Sequence, residues 1–65
     1  MEVTINGNLT QVTSCNLSEL ITELGLGDKK IAIEHNKEVV PRAMHLDVKL
    51  SEGDIVEIIS FVGGG

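Results

Sequence analysis

The order of hydrophobic patterns predicts an α+β fold in which one helix crosses a single sheet. Three observations carry this reading: an alternating segment at the start, one apolar stripe of helical period at Leu17 to Leu24, and a long apolar run at Ile55 to Val62. The first and last have the period of strands, and only the middle one has that of a helix.

Met1, Val3 and Ile5 alternate with Glu2, Thr4 and Asn6, the pattern of a half-buried strand. Asn6-Gly7 follows, and both residues tolerate positive φ, so a tight hairpin is expected with Leu9 to Thr13 as its returning strand. Asn16 stands as a helix N-cap, with Glu19 three residues on in the place of a capping-box partner. Leu17, Leu20, Ile21 and Leu24 then form one stripe, and Gly25 and Gly27 end the helix.

Ile31 to His35 reads as a third strand, with Asn36-Lys37 turning into a short Val39-Val40 strand. Pro41 cannot donate to a ladder, which places that strand at an edge. Ala43 to Leu46 is expected to form one helical turn, and Ser51-Glu52-Gly53-Asp54 a turn before the last strand. The last strand is apolar on both faces, as a central strand is. One helix covers one face only. Burying Glu57 costs more than burying Ser60, so Val56 and Ile58 are expected beneath the helix, with Ile59 and Phe61 on the open face. An exposed apolar patch there would be a docking surface, unless a loop covers it.

A chain of 65 residues makes one small domain, expected at residues 1–62, followed by a flexible tail at 63–65. With a single cysteine the fold must hold without an internal disulfide, which suits a reducing cytoplasm. No apolar run approaches the roughly 20 residues of a membrane helix, and Met1 to Thr4 lacks the layout of a secretory signal. A soluble, cytoplasmic protein is therefore expected. The net charge of -5 disfavours nucleic acid and favours a basic partner surface.

Val62-Gly63-Gly64-Gly65 leads the last strand into residues without side chains. Glycine passes where a Cβ would clash, and three residues reach about 10 Å, enough to enter another protein's cleft. On composition alone these glycines read equally well as terminal filler. Other sites are poorer. Cys15 lies before the helix, where a thiol can be activated, but a lone cysteine is more often a small buried residue. His35 and His45 are too few for a zinc site and are expected at the surface or rim. Gly25 and Gly27 follow a helix, whereas a phosphate cradle precedes one. Arg42 is either a solvated edge residue or a carboxylate-binding partner contact.

Asn36-Lys37-Glu38-Val39-Val40-Pro41-Arg42, Glu52-Gly53-Asp54 and the terminal Val62-Gly63-Gly64-Gly65 resemble the ThiS family, the sulfur carriers of thiamine biosynthesis. His35 stands where an aliphatic residue is expected and Lys37 where that family often has glycine. The resemblance implies a ubiquitin-like β-grasp fold with a mixed sheet of four to five strands. It also implies that the protein is a co-substrate with no active site or bound cofactor of its own. An E1-like adenylyltransferase, using ATP and magnesium, would convert Gly65 to an acyl-adenylate. A persulfide derived from a cysteine desulfurase would then leave a thiocarboxylate for thiazole synthase. Gly63 and Gly64 would thread the partners' channels, with Ile59, Phe61 and Arg42 as docking candidates. Three alternatives stand beside this reading: a molybdopterin-type carrier, a β-grasp binding module with an inert tail, and an enzyme using Cys15.

Overall fold

The computed structural model describes residues 1–27 and 29–60. Phe61, Gly63, Gly64 and Gly65, and with them the expected boundary at residue 62, lie outside the described residues.

The first hairpin forms as its turn chemistry dictates. Strand β1 (Glu2–Ile5) pairs antiparallel with β2 (Asn8–Gln11), with Ile5 opposite Asn8. Asn6 and Gly7 alone make the turn, at φ of 50° and 83°, the mirror-image geometry that matches strand twist. The returning strand is shorter than expected and begins one residue earlier, because the two-residue turn sets the register.

The helix α1 (Leu17–Glu23) starts where its cap predicts, with the Glu19 amide donating to Asn16 Oδ1 at 2.8 Å. The Glu19 carboxylate reaches back to the amide of Cys15 at 2.8 Å, one residue beyond the usual capping box. Its end is a Schellman arrangement. Gly25, at φ 75°, donates to Thr22, and Leu26 donates to Ile21. Val48 and Leu50 exchange backbone bonds with Leu17 and Cys15, tying the segment that returns to the sheet against the start of the helix.

Strand β3 (Ile31–His35) turns through Asn36 and Lys37 into β4 (Glu38–Val40), with His35 opposite Glu38. Lys37 sits at φ 73°, a conformation that glycine adopts without penalty. After Pro41 the chain makes a 3-10 helix over Arg42–Asp47, longer than the single expected turn, opened by the Met44 amide donating to the Pro41 carbonyl. Gly53, at φ 85°, completes the turn into β5 (Ile55–Ser60).

The five strands lie in the order β2-β1-β5-β3-β4. As the sequence predicts, the last strand is central and the proline-terminated one is at an edge. It runs parallel to β1 and antiparallel to β3, so the sheet is mixed. Val3, Ile33, Val56 and Ile58 face α1, where Leu17, Leu20 and Ile21 complete the core with Val12, Ile31 and Leu50.

Two turn asparagines fasten β5. Backbone pairing of β1 with β5 spans only Thr4 with Ile55 and Ile5 with Val56. Beyond it the Asn6 side chain acts as a further strand residue, donating from Nδ2 to the Ile58 carbonyl at 3.1 Å and accepting at Oδ1 from the Ile58 amide at 2.7 Å. On the other edge Asn36 Oδ1 accepts from the Ile55 amide at 2.9 Å, while the Asn36 amide donates to the Ile55 carbonyl at 2.8 Å. Asn6→Gly keeps the turn conformation and removes two side-chain bonds, so it should cost about 1–3 kcal/mol. Asn6→Ala should cost more, through added left-handed strain, and urea unfolding midpoints of the two variants check both expectations.

Candidate functional site

The helix covers one face of the sheet, and among the described residues nothing covers the other. Alternation places Leu9 of β2, Ile55, Glu57 and Ile59 of β5, Ala32 and Glu34 of β3 and Val39 of β4 on that open face. Ile59 is 51% exposed and sits directly opposite Ala32, and Ile55, Val39 and Leu9 are exposed as well. The expected patch around Ile59 is therefore present, and no described residue covers it. It is also wider than Ile59 and Phe61 suggested. Further exposed apolar residues stand on β2 and β4, Leu9 beyond Thr4 and Val39 beyond Glu34, an arrangement that only sheet order reveals.

Glu57 is exposed, as the argument from its charge requires, and its neighbour across the strands is Glu34. Two glutamates are thus cross-strand partners at the middle of the open face.

β3 and β5 are antiparallel, as are β3 and β4, so β4 and β5 finish at the same end of the sheet. Arg42 follows β4 there. It is exposed, and its Nη2 donates to the Gly27 carbonyl at 3.4 Å, in the loop that leads into β3. The structure so brings Ile59 and Arg42 to the end at which β5 approaches the glycine segment. Gly63, Gly64, Gly65 and Phe61 are outside the described residues.

Two expectations are corrected. Cys15 is exposed rather than buried, because it precedes the helix cap and only its backbone is engaged. His45 is buried rather than at the rim, 5% exposed, because its Nε2–H donates inward to the Val40 carbonyl at 3.1 Å. No periodic pattern in a short 3-10 segment marks it.

His35 is half-buried and explains its own departure from an aliphatic residue. Its Nε2 lies 2.7 Å from Asp54 Oδ2, which also accepts from the Ser51 amide at 2.8 Å. Asn36 Nδ2 donates to the other carboxylate oxygen at 3.2 Å. The two chain turns that flank β5 are thereby joined through one carboxylate. Among the described residues no three His, Cys, Asp or Glu side chains gather as a metal site. A shallow pocket of about 340 Å³ lies between α1 and the segment before it, lined by Thr13, Ser14, Ser18, Glu19, Thr22 and Glu23. Glu23 fills its polar role internally, accepting from the Thr13 and Ser14 amides and the Ser14 hydroxyl.

A single helix laid across a five-stranded mixed sheet, with the C-terminal strand central, defines a ubiquitin-like β-grasp protein. The crystal structure of the thiamine biosynthesis protein ThiS from Geobacter metallireducens superposes with a TM-score of 0.84 at 32% identity, over all of both chains. The chain belongs to the ThiS family, whose model matches residues 3–65. The sulfur carrier protein ThiS of Bacillus subtilis is 35% identical over 49 residues, covering 75% of this chain and 74% of that protein. A thiazole synthase of Paramagnetospirillum magneticum is 38% identical over 66 residues, and one of Magnetococcus marinus is 36% identical. The chain spans only 20% of the length of each of these synthases.

Burial alone would raise the Asp54 carboxyl, but the hydrogen bonds from His35, Ser51 and Asn36 and the nearby histidine charge outweigh it and hold the group below its ordinary value. A carboxyl depressed by folding contributes stability above its unfolded value, near 3.8, and that contribution is lost as pH falls further through the folded value. Asp54→Asn should therefore lower stability at neutral pH and flatten its decline below about pH 4, read from urea midpoints across a pH series. A decline as steep as that of the wild type would assign the acid sensitivity to other groups.

Proposed function

We propose that this chain carries sulfur in thiamine biosynthesis, as a thiocarboxylate on Gly65, and delivers it to thiazole synthase. The observation that carries this reading is that the ThiS family match runs through residue 65 and so includes all three terminal glycines. The likeness to thiazole synthases over the whole chain supports that enzyme as the recipient.

The chemistry follows from the carboxyl group. A terminal carboxylate has an ordinary pKa of about 3.3–3.7, so near neutral pH it is an anion that repels nucleophiles. An E1-like adenylyltransferase activates it. One Gly65 oxygen attacks the α-phosphorus of ATP, with magnesium on the phosphates, and pyrophosphate departs. A persulfide sulfur supplied through a cysteine desulfurase attacks the acyl carbon and AMP leaves. A thiol then reduces the resulting acyl disulfide at its S–S bond, leaving the thiocarboxylate and a new disulfide. The carrier supplies no catalytic group. It supplies a narrow reach through Gly63 and Gly64, and a docking face through Ile59 and its neighbours, with Phe61 and Arg42 toward the tail.

Incubation with ATP, magnesium, the adenylyltransferase and a sulfur source should replace one terminal oxygen of the intact protein by sulfur. Deletion of Gly65 should abolish that mass change while leaving the folded domain intact. No shift in a system that thiolates another ThiS protein would overturn the proposal. In cells, loss of the protein should create a requirement satisfied by thiazole or thiamine. A molybdoenzyme defect without that requirement would indicate the molybdopterin-type carrier instead.

A further inference from the structure

The open face holds a feature that folding by itself does not favour. Glu34 and Glu57 are direct cross-strand partners in the β3–β5 pairing. Such partners have Cβ atoms about 4.5–5.5 Å apart, and like charges in that position destabilise a sheet. Among the described residues the one ion pair is that of His35 with Asp54, and no cation accompanies either glutamate.

The position of the pair is as informative as its charge. Glu57 lies between Ile55 and Ile59 on one strand, and Glu34 lies between Glu57 and the edge residue Val39. Ile55, Ile59 and Val39 are the exposed apolar groups of these strands. A partner surface that spans Ile55 and Ile59 must therefore cover Glu57, and one that extends to Val39 must cover Glu34. Burying two carboxylates without a counter-charge opposes association, whereas a guanidinium placed between them satisfies both with charge-assisted hydrogen bonds.

We propose that thiazole synthase sets a basic side chain, an arginine or a lysine on an otherwise apolar surface, between Glu34 and Glu57 when the carrier docks. This rests on the carrier reading above and adds to it the group that selects the partner. The occupant is chosen by charge complementarity. Its assignment to the synthase follows from the relatives of that name, in which a segment similar to this entire chain is part of the same polypeptide. A unit tethered in that way meets its partner at high effective concentration, so a weak, charge-guided contact suffices. The same pair rejects acidic or purely apolar surfaces.

The test uses the full chain and the separately expressed cognate thiazole synthase, with dissociation constants measured by calorimetry over a range of salt. Glu34→Gln and Glu57→Gln should each weaken binding by about tenfold or more and reduce its salt dependence. The free variants should melt at or above the wild-type temperature, because removing either charge relieves the repulsion. Glu57→Lys should create an opposed ion pair, keep the fold and weaken binding further. Unchanged affinity and salt dependence in the glutamine variants would overturn the proposal, and lower melting temperatures would overturn the repulsion on which it stands. Weakened binding to the adenylyltransferase with unchanged binding to the synthase would overturn the assignment of the occupant. A wild-type chain that binds neither enzyme would overturn the carrier reading as well.

Discussion

Strand β5 enters the sheet between strands that belong to two separate hairpins, and the hydrogen bonds along its two edges unite them. Without it β1–β2 and β3–β4 would be isolated two-stranded units, which are marginal in water. Its inward residues Val56 and Ile58 are the floor on which Leu17, Leu20 and Ile21 of the helix pack. Backbone pairing with β1 is short, and the Asn6 amide extends it by imitating one more strand residue. Each asparagine therefore works twice, as a turn residue with positive φ and as a clamp on the central strand.

The same insertion explains the polar cluster beside it. Bringing β5 next to β3 places Asp54 against His35 and Asn36, and the Ser51 amide closes the turn onto the same carboxylate. A buried carboxylate is costly unless its oxygens find donors, and here the donors come from both turns that flank the strand. An aliphatic residue in place of His35 would fill the space but leave one of those donors missing.

A domain with one seven-residue helix can bury only one side of five strands. Exposure of Ile59, Ile55, Val39 and Leu9 is the consequence, and an exposed apolar face of this kind is the surface on which the proposed docking rests. In that proposal the glutamate pair, Glu34 opposite Glu57, opposes indiscriminate association through apolar contact. In the proposed reading, recognition and reactivity are divided, the sheet face selecting the partner and the terminal glycines of the sequence offering a slender group to the partner's chemistry.

Local signals determined the elements of this protein: Asn6-Gly7 for the first turn, Asn16 and Glu19 for the helix start, Gly25 for its end, and the two-sided apolar character of the sequence Ile55 to Val62 for a central strand. These are legible because each depends on backbone dihedrals or on burial at the residue itself. The segment Asn36 to Arg42, Glu52-Gly53-Asp54 and the terminal Val62 to Gly65 together likewise indicated the family. Only the tertiary structure decided that Glu34 faces Glu57, that His35 meets Asp54, that His45 turns inward and that Cys15 stays outside. Pairings between residues that are 19 or more apart in sequence depend on strand order and register, and many registers share one pattern of hydrophobicity. The exposed apolar face lies between these cases, since Ile59 could be assigned from its strand alone, while the breadth of the patch required knowing which strands lie on either side.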